Sequence, residues 1–155
     1  MKIRFISDGV LFLRIFAFAA AVPYLLRRKL PSVAAALEPG SDPTPFDDSQ
    51  VEKIQSFVET VIRRGKPIVR PGCLTRGLTR YYFLRRSGVD VALCFGMGRV
   101  NNEFMGHCWL VKDEEPYLEW PDPRPRYLEM YRISRTTNSA SMPAGENGFA
   151  SFSHP

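Results

Sequence analysis

Cys73 follows a Pro71-Gly72 break and opens the stretch Cys73-Leu74-Thr75-Arg76-Gly77-Leu78-Thr79-Arg80-Tyr81-Tyr82-Phe83-Leu84, which reads as a helix. Further on, Gly106-His107-Cys108-Trp109-Leu110-Val111 reads as a strand that begins at a histidine. A thiol at a helix N-terminus and an imidazole on a facing strand are the two parts a cysteine nucleophile needs. A free thiol, with a pKa of roughly 8.5, is mostly protonated at neutral pH, and only the thiolate attacks. Helix N-terminal amides stabilise that anion by their partial positive charge. A neighbouring imidazolium stabilises it further and can protonate a leaving amine. The same amides can donate to the oxyanion of a tetrahedral intermediate. The chain has two histidines, and His154 falls in the C-terminal tail, so acid/base work that needs an imidazole rests on His107.

The imidazole needs a third group to hold its ring and tautomer. Glu119 leads, with Asp113 and Asp122 in reserve. In an antiparallel pair, residues share a face only if the loop parity allows it. An odd loop, such as Lys112-Asp113-Glu114, sets Glu119 opposite His107. A two-residue turn sends it to the other face unless a bulge restores it. Arg76 and Trp109 are candidate substrate contacts, against the plainer readings of a charge that pairs with a carboxylate or faces solvent and of a core indole.

These residues depend on the elements that carry them. Asp47 or Asp48 caps a helix with Val51, Ile54, Phe57 or Val58, and Val61 at helical spacing, closed by Arg63, Arg64 and Gly65. Lys66 to Gly72 is an extended lead-in, because Pro71 keeps Arg70 from helical geometry. The Cys73 helix buries Leu74, Leu78, Tyr81 and Tyr82, with Gly77 permitting close packing, and stops at Gly88. Residues 89–96 alternate as a strand with Val89, Val91, Leu93 and Phe95 on one face. Gly98 to Gly106 reads as a long connection, Tyr117 to Trp120 as a third strand, and Tyr127 to Ile133 as a last one. A nucleophile-bearing helix on a small antiparallel meander, preceded by N-terminal helices, is an α+β architecture.

The chain of 155 residues has room for one core. The expected organisation is an N-terminal helical segment over 1–37, a Pro/Gly linker over 38–46, a catalytic core over 47–134 and a flexible tail over 135–155. The formal charge is +5, but the arginines are scattered without aromatic interleaving, so nucleic acid is not an expected partner. Cys73, Cys94 and Cys108 make an odd count without C-x-x-C spacing, which excludes a disulfide framework and a structural zinc, and no cofactor is expected. Reduced thiols fit a cytoplasmic protein. The apolar residues 8–30, interrupted by Arg14 and ending in Arg27-Arg28-Lys29, read as a buried or partner-facing helix, a membrane-surface helix giving peripheral contact, or a cleaved signal.

Cys73-Leu74-Thr75-Arg76-Gly77-Leu78, the following Tyr-Tyr-Phe-Leu-Arg-Arg-Ser-Gly-Val-Asp-Val-Ala-Leu, and Gly-His-Cys-Trp-Leu-Val together resemble a known pattern. It belongs to the transglutaminase-like cysteine peptidases that act as leader peptidases in lasso-peptide biosynthesis, the C-terminal domain of the B proteins. That pattern is roughly C-L-x-R-A/S-L, a helix ending in R-R-x-G, a strand, then H-A-W-V-E and an Asp, and it spans about residues 66 to 133. The resemblance implies a papain/transglutaminase-like core with Cys73 as nucleophile, His107 as base and a precursor peptide's leader segment as substrate. Glu119 stands where the family's acid is usually Asp, Cys108 where Ala is usual, and Gly77 where Ala or Ser is. No leader-recognition module is visible on this chain, so the resemblance also implies a separate recognition protein and a macrolactam-forming synthetase as partners. Acyl transfer to an amine, and a non-catalytic peptide-binding module on the same fold, are the competing functions.

Overall fold

A computed structural model of the chain describes residues 2–37 and 47–134. Four helices come first: α1 (Lys2–Leu25), α2 (Leu30–Leu37), α3 (Asp48–Arg64) and α4 (Cys73–Arg86). Four strands follow: β1 (Ala92–Val100), β2 (Glu103–Lys112), β3 (Glu115–Tyr117) and β4 (Leu128–Ile133). They form one antiparallel sheet in the order β3-β2-β1-β4. The architecture is α+β, as the order of patterns in the sequence implies. The expected linker over 38–46 and tail over 135–155 lie outside the described residues.

The two helices that frame the site begin and end as their sequences dictate. Asp47 caps α3, accepting from the Ser49 amide at 3.0 Å and the Ser49 hydroxyl at 2.8 Å. The α4 C-terminus is a Schellman motif. Gly88 takes φ 81, the Val89 amide bonds Leu84 O at 3.1 Å, and the Gly88 amide bonds Arg85 O at 3.3 Å. At the other end Gly72 offers no side-chain cap, so the first amides of α4 are left for another partner.

Helix α4 is enclosed by α1 and α3 on one side and the sheet on the other, and it is buried nearly all round. Leu78 and Tyr81 are in the core, as their spacing implies. Leu74 is not: it lies in the first turn, beyond the sheet, and is 37% exposed. Tyr82 is only partly buried and stacks on Phe18 of α1 at 4.2 Å between ring centroids. Helix α1 joins the same core through Ile15, Ala19 and Val22, and Lys53 of α3 pairs with its Asp8 at 2.7 Å. Ser7–Leu25 is long and apolar enough by length and composition to cross a membrane, and 17% of that window is buried. Such a helix is compatible with a soluble or a membrane-associated protein.

The sheet departs from expectation in three places. Strand β1 starts at Ala92 and runs on to Val100, and the expected long connection from Gly98 to Gly106 is mostly β-ladder. Asn101 and Asn102, with φ 50 and 69, close this hairpin in a two-residue turn. Gly96 looks like a strand breaker but is required by space, since a Cβ there would lie 2.7 Å from the Trp109 ring and from Leu128 O. The β2–β3 turn is Asp113-Glu114, both at positive φ, rather than a three-residue loop. Strand β3 then ends at Tyr117, because Leu118 turns to φ 58.

Contact between α4 and β2 is closest at Gly77, where a Cβ would meet Cys108 Sγ at 2.9 Å and Leu93 Cδ1 at 3.2 Å. Gly77→Ala is therefore expected to destabilise the protein by about 1–2 kcal/mol, overpacking outweighing the helix propensity of alanine. In a Cys108→Ala background the same change becomes neutral or stabilising by up to about 1 kcal/mol. Denaturant unfolding of the four members of this cycle measures the coupling.

Candidate active site

Helix α4 sets Cys73 at its uncapped N-terminus, and the sheet brings β2 alongside. The β2–β3 ladder reaches only Leu110–Tyr117, so no β3 residue is paired with Cys108. The Cys73 sulfur takes that place at the strand edge: the Cys108 backbone amide and the Cys108 thiol both donate to it. His107 belongs to the other face of β2, with Trp109, whereas Cys108 faces α4. The imidazole nevertheless hydrogen-bonds Cys73, because the sulfur sits at the open edge, within reach of side chains from both faces.

These contacts set the thiol's acidity. Cys73 is pulled down to about 5. The hydrogen bond from the Cys108 thiol contributes most. Partial burial opposes it, and the Cys108 amide, the His107 hydrogen bond and the His107 charge reinforce it. Cys108 shifts strongly upward, since it holds the shared proton next to the Cys73 anion and is 2% exposed. Of the two sulfurs, Cys73 ionises, because it alone has solvent and the imidazole beside it. Burial pushes the third thiol, Cys94, up to about 12. Of the three thiols, Cys73 alone is shifted toward the thiolate.

Aromatic rings hold the imidazole. His107 stacks on Tyr127 at 4.9 Å between centroids and lies near parallel to Trp109 at 6.1 Å. Trp109 is 1% exposed, so it backs the imidazole and does not line a substrate groove. Arg76 stands 2.9 Å from Glu59 Oε1, which occupies its charge within the fold.

The two-residue turn sets Tyr117 opposite Leu110, on the Cys108 face of the sheet, and the chain leaves the ladder at Leu118. Glu119 follows on the α4 side rather than opposite His107. Arg80 anchors it there. This buried guanidinium donates to Leu118 O at 3.0 Å, to Glu119 Oε1 at 3.4 Å and to Glu59 Oε1 at 2.7 Å. Glu119 is 16% exposed, and burial raises its pKa against the opposing charges of Arg80, His107 and Arg76. The carboxylate is thus within electrostatic reach of His107, while its hydrogen bond goes to Arg80. The reserve acids are elsewhere. Asp122 is exposed and bound to Arg124. Asp113 lines a separate cavity of about 200 Å³ with Asp90 and Arg132, at the far end of β2.

The profile of the transglutaminase-like superfamily matches residues 12–132. The chain belongs to that superfamily. Comparisons with curated proteins and with solved structures return no match. A transglutaminase-like domain points to cysteine peptidase or acyltransferase chemistry, and the match takes in α1 from Phe12 onward as well as Cys73 and His107. The sequence did not single out Tyr127, Cys108 as a donor, or the Glu59–Arg80 pair. Tyr127 follows a Pro-rich break, and nothing local marks its ring as a partner for His107.

Alkylation of Cys73 by iodoacetamide, followed by intact mass, is expected to have its pH midpoint near 5. Below that the proton sits on sulfur and the rate falls; above it the thiolate dominates. Cys108→Ala removes the largest single stabilising contact and moves the midpoint upward, and His107→Ala, which removes a hydrogen bond and a charge, also moves it upward. Cys94 should remain unlabelled throughout the neutral range.

Proposed function

We propose that the protein is a cysteine peptidase that removes the leader segment from a ribosomally made precursor peptide, in lasso-peptide maturation. The observation that carries this reading is the low-pKa thiol of Cys73 at an uncapped helix N-terminus, in contact with His107. The Cys73 thiolate attacks the scissile carbonyl. The free amides of the first α4 turn receive the oxyanion. Collapse breaks the C–N bond, and the His107 imidazolium gives its proton to the departing amine, leaving a thioester on Cys73. His107 then takes a proton from water, whose attack on the thioester breaks the C–S bond, releases the carboxylic acid and restores the Cys73 thiolate beside the His107 imidazolium. Glu119 stands within electrostatic reach of the ring, and Trp109 and Tyr127 fix its plane.

The resemblance of the Cys73 and His107 motifs to lasso leader peptidases supports the substrate class. On that reading a separate leader-recognition protein and a macrolactam synthetase act with this chain, in the cytoplasm or at its membrane surface through residues 8–30.

The test is incubation of the full chain with a candidate precursor and its recognition protein, followed by mass spectrometry. Cys73→Ala should abolish cleavage and keep the fold. His107→Ala should slow it by about 10²–10⁴-fold. Glu119→Gln should slow it by about tenfold, because the carboxylate acts on the ring through its field rather than a direct hydrogen bond. Cleavage retained in Cys73→Ala removes the proposal. A product carrying an added amine in place of water identifies acyl transfer instead.

A further inference from the structure

A cavity of about 340 Å³ opens beside Cys73. One wall is the first turn of α4, with Cys73, Leu74 and Thr75, and the floor is Pro71-Gly72. The opposite wall is the end of α1: Val22, Pro23 and Leu26. Helix α1 arrives there by packing antiparallel to α4. Phe18 stacks on Tyr82 near the end of α4, and further along the chain Val22, Pro23 and Leu26 reach the hollow beside the first α4 turn. Val22 is fully buried, whereas Leu26 and Leu74 are each 37% exposed. Two aliphatic side chains thus face solvent on either wall of a hollow that shares the nucleophile.

We propose that this cavity is the subsite for a bulky apolar side chain on the acyl side of the scissile bond, with α1 as its outer wall. The proposal rests on Cys73 being the peptidase nucleophile. The acyl residue stays bonded to Cys73 through the thioester, so a hollow bounded by Cys73 itself is placed to hold that residue's side chain. Its volume is at the small end of ligand pockets, which suits one residue rather than a cofactor. Its lining is mostly aliphatic, with Arg70 the charged exception. Removing a leucine- or phenylalanine-sized group from water is favourable there by the usual apolar transfer, an advantage over glycine of about 10- to 100-fold. The N-terminal helix, which on sequence grounds has no part in the chemistry, then sets specificity.

Peptidyl chloromethyl ketones differing only in their last residue test this on the full chain. The Cys73 thiolate displaces chloride and forms a thioether, which intact mass detects. Leucine and phenylalanine reagents should react about 10- to 100-fold faster than the glycine and aspartate reagents. Leu26→Trp, which fills the hollow, and Leu26→Glu, which makes it polar, should each bring that ratio to within about threefold of one. The ratio is read within one variant, so partial loss of folded protein cancels. Fast iodoacetamide labelling with no preference among the ketones, or a preference unchanged in both Leu26 variants, overturns the subsite while sparing the nucleophile. Iodoacetamide labelling no faster than that of an unperturbed thiol overturns the nucleophile itself.

Discussion

The site depends on an unfilled edge of β2. A sheet edge presents unpaired amides, which proteins usually cover or blunt. Here β3 covers β2 only to Leu110, and the left-handed Leu118 takes the chain away before it can reach Cys108. The vacated position is filled by the sulfur at the start of α4. A longer β3 would satisfy the Cys108 amide with a carbonyl and displace Cys73 from its main backbone donor. Strand length, a turn with two positive-φ residues and one further positive-φ residue therefore decide whether the thiol is an acid or an inert core group.

Arg80 maintains that arrangement. Its side chain is 6% exposed, and burial alone would make a guanidinium costly. Glu59 from α3 and Glu119 and Leu118 O from the segment after β3 offset the cost. The network thus ties α3, α4 and the departing chain together. Removing one partner from such a network typically costs about 3–5 kcal/mol, because the remaining charge stays buried. Glu119 has two roles in this geometry. It is a structural counter-ion by its hydrogen bond and an electrostatic neighbour of His107 by proximity, and the longer glutamate side chain serves the first directly.

How much of this was legible in the sequence follows from which signals are local. The α3 stripe, the Pro-Gly break before Cys73 and the Gly88 stop are written in neighbouring residues, and they place the nucleophile at a helix start without any tertiary knowledge. The α+β class follows from the order of periodicities. The β1–β2 hairpin was obscured because the stretch from Gly98 to Gly106 looks like a loop, yet Gly98 is there to admit the backbone of Arg126 before β4. The Asn101-Asn102 pair was the available signal for that turn. The length of the Asp113-Glu114 turn and the left-handed Leu118 together place Glu119, and composition alone marks neither. Stacking of Tyr127 on His107 and the α1 wall beside Cys73 join distant segments, and no window of sequence contains them.

Cys108 and Gly77 are best understood together. The resemblance puts alanine at the first position and alanine or serine at the second. A sulfur added at residue 108 points at α4, and its room comes from the absence of a Cβ at residue 77. The exchange moves volume across the helix–sheet contact, the kind of paired substitution cores accept. It also changes the chemistry. An alanine at 108 offers the nucleophile only its backbone amide, whereas a cysteine adds a thiol donor that cannot itself ionise at neutral pH. The Cys73 anion is then held by neutral and charged donors at once, so less of its stabilisation depends on the charge state of His107.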